Sequence, residues 1–298
     1  MIQKKKIAIL MSVYNGEKYI SEQLDSLYNQ TVIEDIRLFV RDDGSSDSTL
    51  NIINRWKDRI DIVVYKETNV GPARSFWELL NKDIEAEYFL FCDQDDIWDT
   101  NKVEKSIEAL NQGCCLSYCN CRHIDSFGNI MQQKRVIGTP DSSYENLFIS
   151  GITQGCSMCF TKDLKRFIQS KTIHCIPMHD VIVMLYAKAF GEIAWIDTPL
   201  FSYRIHNNNV VAKNRNIYSR IKKTLWNWKN SRNNSMAEVA EELINNIPGL
   251  QTNEFLSNMK IYKNNFVAKI KILRNDKLKY VSSDCKRSYI FRIILNWL

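Results

Sequence analysis

The first hundred residues alternate between short apolar runs and amphipathic segments, and this alternation constrains the fold more than any other feature. KKKIAILMSVYN, IRLFV, DIVVYKE and EYFLFC are compact apolar runs that close in polar turns. Between them lie EKYISEQLDSLYNQ, DSTLNIINRWKDRI and GPARSFWELLNKDI. In the first of these, Tyr19, Ile20, Leu24, Leu27 and Tyr28 recur at helical spacing. Ser48 or Asp47 suits the N-cap of the second, and Pro72 suits the first turn of the third. The order β-α-β-α-β-α-β predicts an α/β fold with a mostly parallel, doubly wound sheet, its strands buried on both faces. Beyond residue 100 the pattern loosens. NKVEKSIEAL reads as a helix, CCLSYCNCRHID as a strand, and ITQGCSMCFTKDLKRFI as a strand then a helix. HDVIVMLYAKAFGEIAWIDTPLFSYRIH reads as a buried helix, a glycine stop and a strand.

Ligands of open α/β sheets bind beyond the carboxyl ends of the strands. Four polar clusters fall there: Ser12 to Asn15, Asp42-Asp43-Gly44, Asn69 to Arg74, and Asp93 to Asp96. One such cluster is an ordinary turn; four at the same edge imply a binding crevice. The last is the most loaded. FLFCDQDDIWD sets Asp93, Asp95, Asp96 and Asp99 directly behind an apolar strand. Carboxylates that close repel one another, so a cation is expected among them. Asp93-Gln94-Asp95 places two carboxylates at alternating positions, an arrangement suited to Mg²⁺ or Mn²⁺ bridging a diphosphate. Asp96 and Asp99 serve equally well as caps of the helix near Thr100. The nine cysteines are expected to be structural thiols: Cys119-x-Cys121 and Cys156-x-x-Cys159 lack a matching Cys/His pair.

At these residues the chain resembles a family 2 inverting glycosyltransferase of the GT-A fold. The resemblance rests on ILMSVYNGEKYISEQLDSLYNQT, VRDDGSSDST, NVGPARSFWELL, FLFCDQDDIW, His179-Asp180 and YRIHNNNV, spread over about residues 5–211. DQDDIW and YRIHNNN are further similar to bacterial rhamnosyltransferase-like members that build surface polysaccharides. The resemblance implies roles. Ser12, Val13, Tyr14 and Asn15 would contact the nucleoside, with Asp42 or Asp43 on the base, Asp42 by preference. Arg74 would help hold the nucleotide. Asp93 would approach the ribose or metal, beside Gln94 in the same donor-binding loop, and Asp95 would ligate the metal, with His206 as a further ligand. Asp180 aligns with the catalytic base, preceded here by His179 where many relatives have Glu. Trp98, Gln154, Gly155 and Met178 fall at acceptor or donor contacts, and Arg204 would face the diphosphate. Lys102 is expected to be solvated. The implied reaction is metal-dependent transfer of a sugar, with inversion, from a UDP- or dTDP-linked donor to a hydroxyl of a lipid-linked glycan.

The implied organisation is a GT-A domain over residues 1–212, with a nucleotide-sugar half to about 100 and an acceptor half after it. Residues 213–298 form a basic helical extension. Residues 211–298 hold 17 Lys+Arg against 6 Asp+Glu, whereas residues 1–210 hold 23 against 28. NIYSRIKKTLWNWKN sets Ile217, Ile221, Leu225 and Trp228 along one helical face among bases, and RSYIFRIILNWL repeats the mixture. Such elements suit an anionic membrane surface; helices packed on the catalytic domain are the other reading. The acidic crevice disfavours nucleic acid as a partner. No apolar run reaches the roughly 18 residues a membrane-spanning helix needs, and the basic, apolar start lacks a small-residue cleavage site. The expected location is therefore cytoplasmic, peripheral on the inner face of the plasma membrane. A pyrophosphorylase would want a Gly-rich loop after the first strand, and SVYNGEKY has one glycine. A non-catalytic nucleotide-sugar-binding protein of the same fold is the alternative, against which Asp95 and Asp180 stand.

Overall fold

The computed structural model describes residues 5–150, 154–206, 235–279 and 283–296. The chain separates into two compact units. One comprises residues 1–140, 154–169 and 190–209; the other comprises 141–153, 170–189 and 210–298. The expected division at residue 212 and the basic amphipathic segment 217–228 lie outside the described residues.

The strands, in chain order, are β1 (Ile7–Val13), β2 (Ile36–Asp42), β3 (Ile62–Lys66), β4 (Tyr88–Cys92), β5 (Ile97–Trp98), β6 (Leu116–Ile124), β7 (Ile130–Gln132), β8 (Met158–Thr161) and β9 (Ile193–Arg204). The helices of the first unit are α1 (Ile20–Tyr28), α2 (Thr49–Trp56), α3 (Pro72–Asn81), α4 (Lys102–Leu110) and, after an α5 (Tyr144–Ser150) that belongs to the other unit, α6 (Lys162–Gln169). All nine strands form one sheet, ordered β3-β2-β1-β4-β8-β6-β9-β5, with β7 paired to β6. The first four run parallel, as the alternating sequence predicts. Ile7 to Met11 of β1 are all buried, because helices cover both faces of a central parallel strand. Ile20, Leu24 and Leu27 give α1 its buried stripe. Gly71 (φ +83°) turns the chain into α3, and Pro72 begins the helix where its missing N–H costs nothing.

Register explains why the strand ends meet. Val13 lies opposite Asp42, Met11 opposite Cys92, and Asp42 opposite Lys66. The loops after β1, β2 and β4 therefore leave the sheet side by side. On the other flank β8 runs antiparallel between β4 and β6, with Leu90 opposite Cys159. The 12-residue β9 then runs parallel to β6 and pairs Phe201 and Ser202 with β5. Its end, Arg204 to His206, is thereby carried to the acidic loop between β4 and β5. Under the sheet, Phe160 lies 5.8 Å from Phe89 and 5.3 Å from Phe91, ring to ring. The eight described cysteines are thiols, seven of them buried.

The second unit is helical. It contains α5, most of α7 (His179–Phe190), α8 (Met236–Asn246), α9 (Glu254–Ile261), α10 (Phe266–Leu273) and α11 (Ser283–Ile294). Ser235 caps α8 in a reciprocal box: its hydroxyl accepts from Glu238 N, and the Glu238 carboxylate accepts from Ser235 N. Asn253 and Asn265 cap α9 and α10. Glu242 of α8 takes the backbone N–H groups of His174 and Cys175, and Asn246 bonds Thr172 and Tyr186. Among the described residues, no helix is long and apolar enough to cross a membrane.

Candidate active site

The loop after β1 is held from two directions. Asn15 adopts φ +46°, a conformation Asn tolerates better than most residues. Its N–H donates to Ser45 Oγ, and its side-chain oxygen accepts from Ser46 N at 2.9 Å. Gln94, from the loop after β4, forms a two-bond clamp with Tyr14: Tyr14 N donates to Oε1 at 2.9 Å, and Nε2 donates to Tyr14 O at 3.1 Å. The clamp needs glycine at position 16, because a Cβ there would collide with the Gln94 amide and push it aside. Of the four residues expected to touch a nucleoside, Tyr14 is half exposed. Ser12 is bonded to Ser75 at 2.5 Å. The Val13 side chain is in the core, and its carbonyl accepts from Asp43 N.

The two carboxylates after β2 have different surroundings. Asp43 accepts from the guanidinium of Arg41 and from the N–H groups of Val70 (3.0 Å) and Gly71 (2.9 Å). Arg41 is itself buried and also binds Glu78 at 2.7 Å and Ser75 at 3.1 Å. Asp43 is thus the anchor of the loop leading into α3. Asp42 accepts only long bonds from Ser45 N, at 3.2 and 3.3 Å. Arg74 stands on α3 with its side chain 60% exposed and Glu78 3.8 Å away.

In the acidic loop, Asp95 Oδ2 and His206 Nε2 lie 2.7 Å apart. Arg204, expected to face a diphosphate, is buried and holds this loop instead. Its Nε donates to the Asp95 carbonyl at 2.9 Å, its backbone N to Asp96 Oδ1 at 3.1 Å, and Nη2 to Glu22 at 2.7 Å. Its guanidinium covers the Tyr19 ring, which in turn lies 5.1 Å from His206. Asp93, Asp96 and Cys156 bring their ligand atoms within 4.8 Å of one another. Burial, then the charges of Asp95 and Asp93, push the Asp96 carboxyl well above the usual range. Its Oδ2 is sealed from water, with the Cys156 thiol beside the carboxyl. Burial, then the neighbouring Asp96 and Asp93, push the Cys156 thiol well up, so it stays protonated.

These residues fit a hard divalent cation. Asp93 and Asp95 crowd one half-buried loop, and Asp95 and His206 already stand near the spacing of about 3 Å that two adjacent ligands of an octahedral ion require. Asp95, His206 and Asp93 would hold it; a protonated Cys156 would not.

Other expected site residues are placed differently. Trp98 is in the core and offers no face for stacking on a sugar. Lys102, expected to be solvated, is fully buried; its ammonium lies 3.4 Å from the centroid of the Trp98 ring. Here a cation–π contact replaces water. Asp99 is not a helix cap: both its oxygens bind Arg122, at 2.6 and 2.7 Å. Gln154 bonds the Cys121 thiol, and Gly155 begins a buried turn. In the second unit, Asp180 and His179 occupy the first turn of α7. Asp180 Oδ1 accepts from Val181 N at 2.8 Å, and burial pushes His179 down to about 3. The sequence reading missed Arg41, Glu22, Tyr19 and Cys156. Arg41 carried a signal, being a charge inside an apolar strand; Glu22 carried none, since its partner is far along the chain.

The sequence profile of Glycosyl transferase family 2 matches residues 8–176. The dTDP-rhamnosyl transferase RfbG of Shigella flexneri is 30% identical over 230 residues, covering 72% of this chain and 77% of that protein. Other relatives are covered over 15% to 63% of their own length. The structure of S. aureus TarS 1-349 in complex with UDP-GlcNAc aligns with TM-score 0.55 at 16% identity, over 98% of this chain and 80% of that one. The mannosyltransferase PcManGT of Pyrobaculum calidifontis, in complex with GDP-Man and Mn²⁺, aligns with TM-score 0.57 at 13% identity, over 99% and 88%. Both likenesses are of fold.

Proposed function

The chain belongs to glycosyl transferase family 2, and we propose that it moves a sugar, with inversion, from a UDP- or dTDP-linked donor to a hydroxyl of a lipid-linked glycan. The observation that carries this reading is the Asp95–His206 pair, 2.7 Å apart in the loop after β4 that also holds the clustered Asp93 and Asp96, next to the loops after β1 and β2. Asp42, with only weak bonds to the backbone, is the group for the base; Tyr14 is the exposed side chain beside it. Arg74 is open enough to turn to a phosphate. Arg204 positions the loop from behind rather than touching the ligand. Asp95 and His206, with Asp93 beside them, would hold a divalent cation, which would supply positive charge to the departing diphosphate. Asp180 takes the proton of the attacking hydroxyl, a general-base contribution of about 10² to 10⁴ in rate. The setting we propose is bacterial surface polysaccharide synthesis on the cytoplasmic face of the membrane, supported by the excess of bases in residues 211–298.

Calorimetry with a panel of nucleoside diphosphates, with and without Mn²⁺, tests this. Metal-dependent binding of UDP or dTDP by the wild type, reduced at least about tenfold in Asp95→Ala, is expected. The absence of binding for every base and metal would refute it.

A further inference from the structure

The C-terminal helices of the second unit leave an apolar corner uncovered. Phe266 and Val267 open α10 and are 75% and 62% exposed. Ile261 at the end of α9, with Phe291, Ile294 and Leu295 around the end of α11, are exposed too. These residues are neighbours. Lys269 Nζ donates to the Ile294 carbonyl at 3.3 Å, and Asn296 Nδ2 to the Lys263 carbonyl at 3.2 Å. Phe291, Ile294 and Leu295 stand at i, i+3 and i+4, on one face. The buried side chains of these helices are others: Tyr262, Ala268, Ile272, Tyr289 and Ile293. An exposed cluster of this size marks an interaction surface.

Charge indicates what covers it. Residues 255–275 carry five Lys and Arg, residues 285–298 carry three, and neither stretch contains Asp or Glu. Glu241 and Glu254 pair with Lys260 and Lys271, so Lys263 and Lys269, the bases beside the apolar tips, carry the charge that two copies meeting here would set against each other. An anionic bilayer satisfies both halves of the pattern, since apolar tips enter the acyl boundary while long basic side chains stay at the headgroups.

We propose that this corner is a membrane-insertion tip, in which Phe266 and Val267 with the end of α11 enter an anionic lipid surface and Lys263, Lys269 and their basic neighbours hold its phosphates. The inference rests on the reading of the chain as an enzyme that works at a membrane, and it locates the contact. Because it draws on charge, this attachment is salt-sensitive.

The test is co-sedimentation of the full chain with vesicles of phosphatidylglycerol and phosphatidylcholine, against phosphatidylcholine alone. The wild type should bind the anionic vesicles only, and less as salt rises. Phe266→Glu/Val267→Glu should reduce binding at least about tenfold, and Lys263→Gln roughly fivefold. Both variants should keep the wild-type melting temperature and nucleotide affinity, since Phe266 and Val267 are exposed and Lys263→Gln keeps the length of a half-buried side chain. Wild-type-like vesicle binding by the double variant would overturn the tip while leaving membrane attachment standing. No binding by the wild type would overturn both. Sedimentation velocity closes the remaining route: self-association abolished by the double variant, with vesicle binding unchanged, would assign the corner to a second copy and refute the proposal.

Discussion

At the scale of single residues, the paired aspartates after β2 differ in their surroundings although they are identical in the sequence. Asp43 neutralises a buried arginine and ties down two backbone N–H groups. Asp43→Asn should therefore destabilise the fold by about 3 kcal/mol, the low end for stripping a buried pair, because Glu78 still faces Arg41. Asp42→Asn should leave the denaturation midpoint within about 0.5 kcal/mol and weaken nucleotide binding. Urea melts and calorimetry on the two variants separate the roles; equal loss of stability would contradict this assignment. His179 gives a second prediction. Burial holds its imidazole neutral, down to about 3, whereas the unfolded chain titrates near 6.5. Above that pH neither state takes a proton. Below it the unfolded state gains one first, so stability falls with acid until about pH 3. Between pH 7 and 5 the wild type should lose about 2 kcal/mol more than His179→Gln. Parallel slopes in urea melts would show that the group does not act this way.

At the scale of elements, Gln94 links the loops after β1 and β4, and Gly16 makes the room for it. Gly16→Ala should displace the Gln94 side chain and cost about 1 to 2 kcal/mol, the worth of two hydrogen bonds. Gln94→Ala should cost the same, and the double variant little more, a non-additivity readable in a double-mutant cycle. The first four strands and their helices were legible in the sequence because burial on both faces writes continuous apolar runs and helices write a 3.6-residue period. The acidic loop was legible because four carboxylates behind a strand need a reason. Strand β8 was readable as a strand but not as the antiparallel member between β4 and β6: four residues, MCFT, contain nothing that selects a partner. Trp98 and Lys102 misled for a related reason. A Trp and a Lys near a helix start look like a sugar platform and a solvated base until packing stacks one on the other.

At the scale of the whole molecule, the binding edge is assembled from segments that are remote in the chain. Arg204 reaches Glu22 across 182 positions, and His206 reaches Asp95 across 111. No window of sequence contains such a pair, which is why Arg204 was read as a ligand contact rather than a brace. The place of β8 in the sheet has a consequence for how the protein is born. A ribosome releases the parallel block β1 to β4 by residue 92, but the open side of β4 has no neighbour until Met158 to Thr161 emerge. Through that interval the nascent chain displays Tyr88 to Cys92 as an unsatisfied, apolar strand, the kind of edge that recruits foreign strands. Translation speed and chaperone supply over those codons thus bear on yield, independently of how stable the finished protein is.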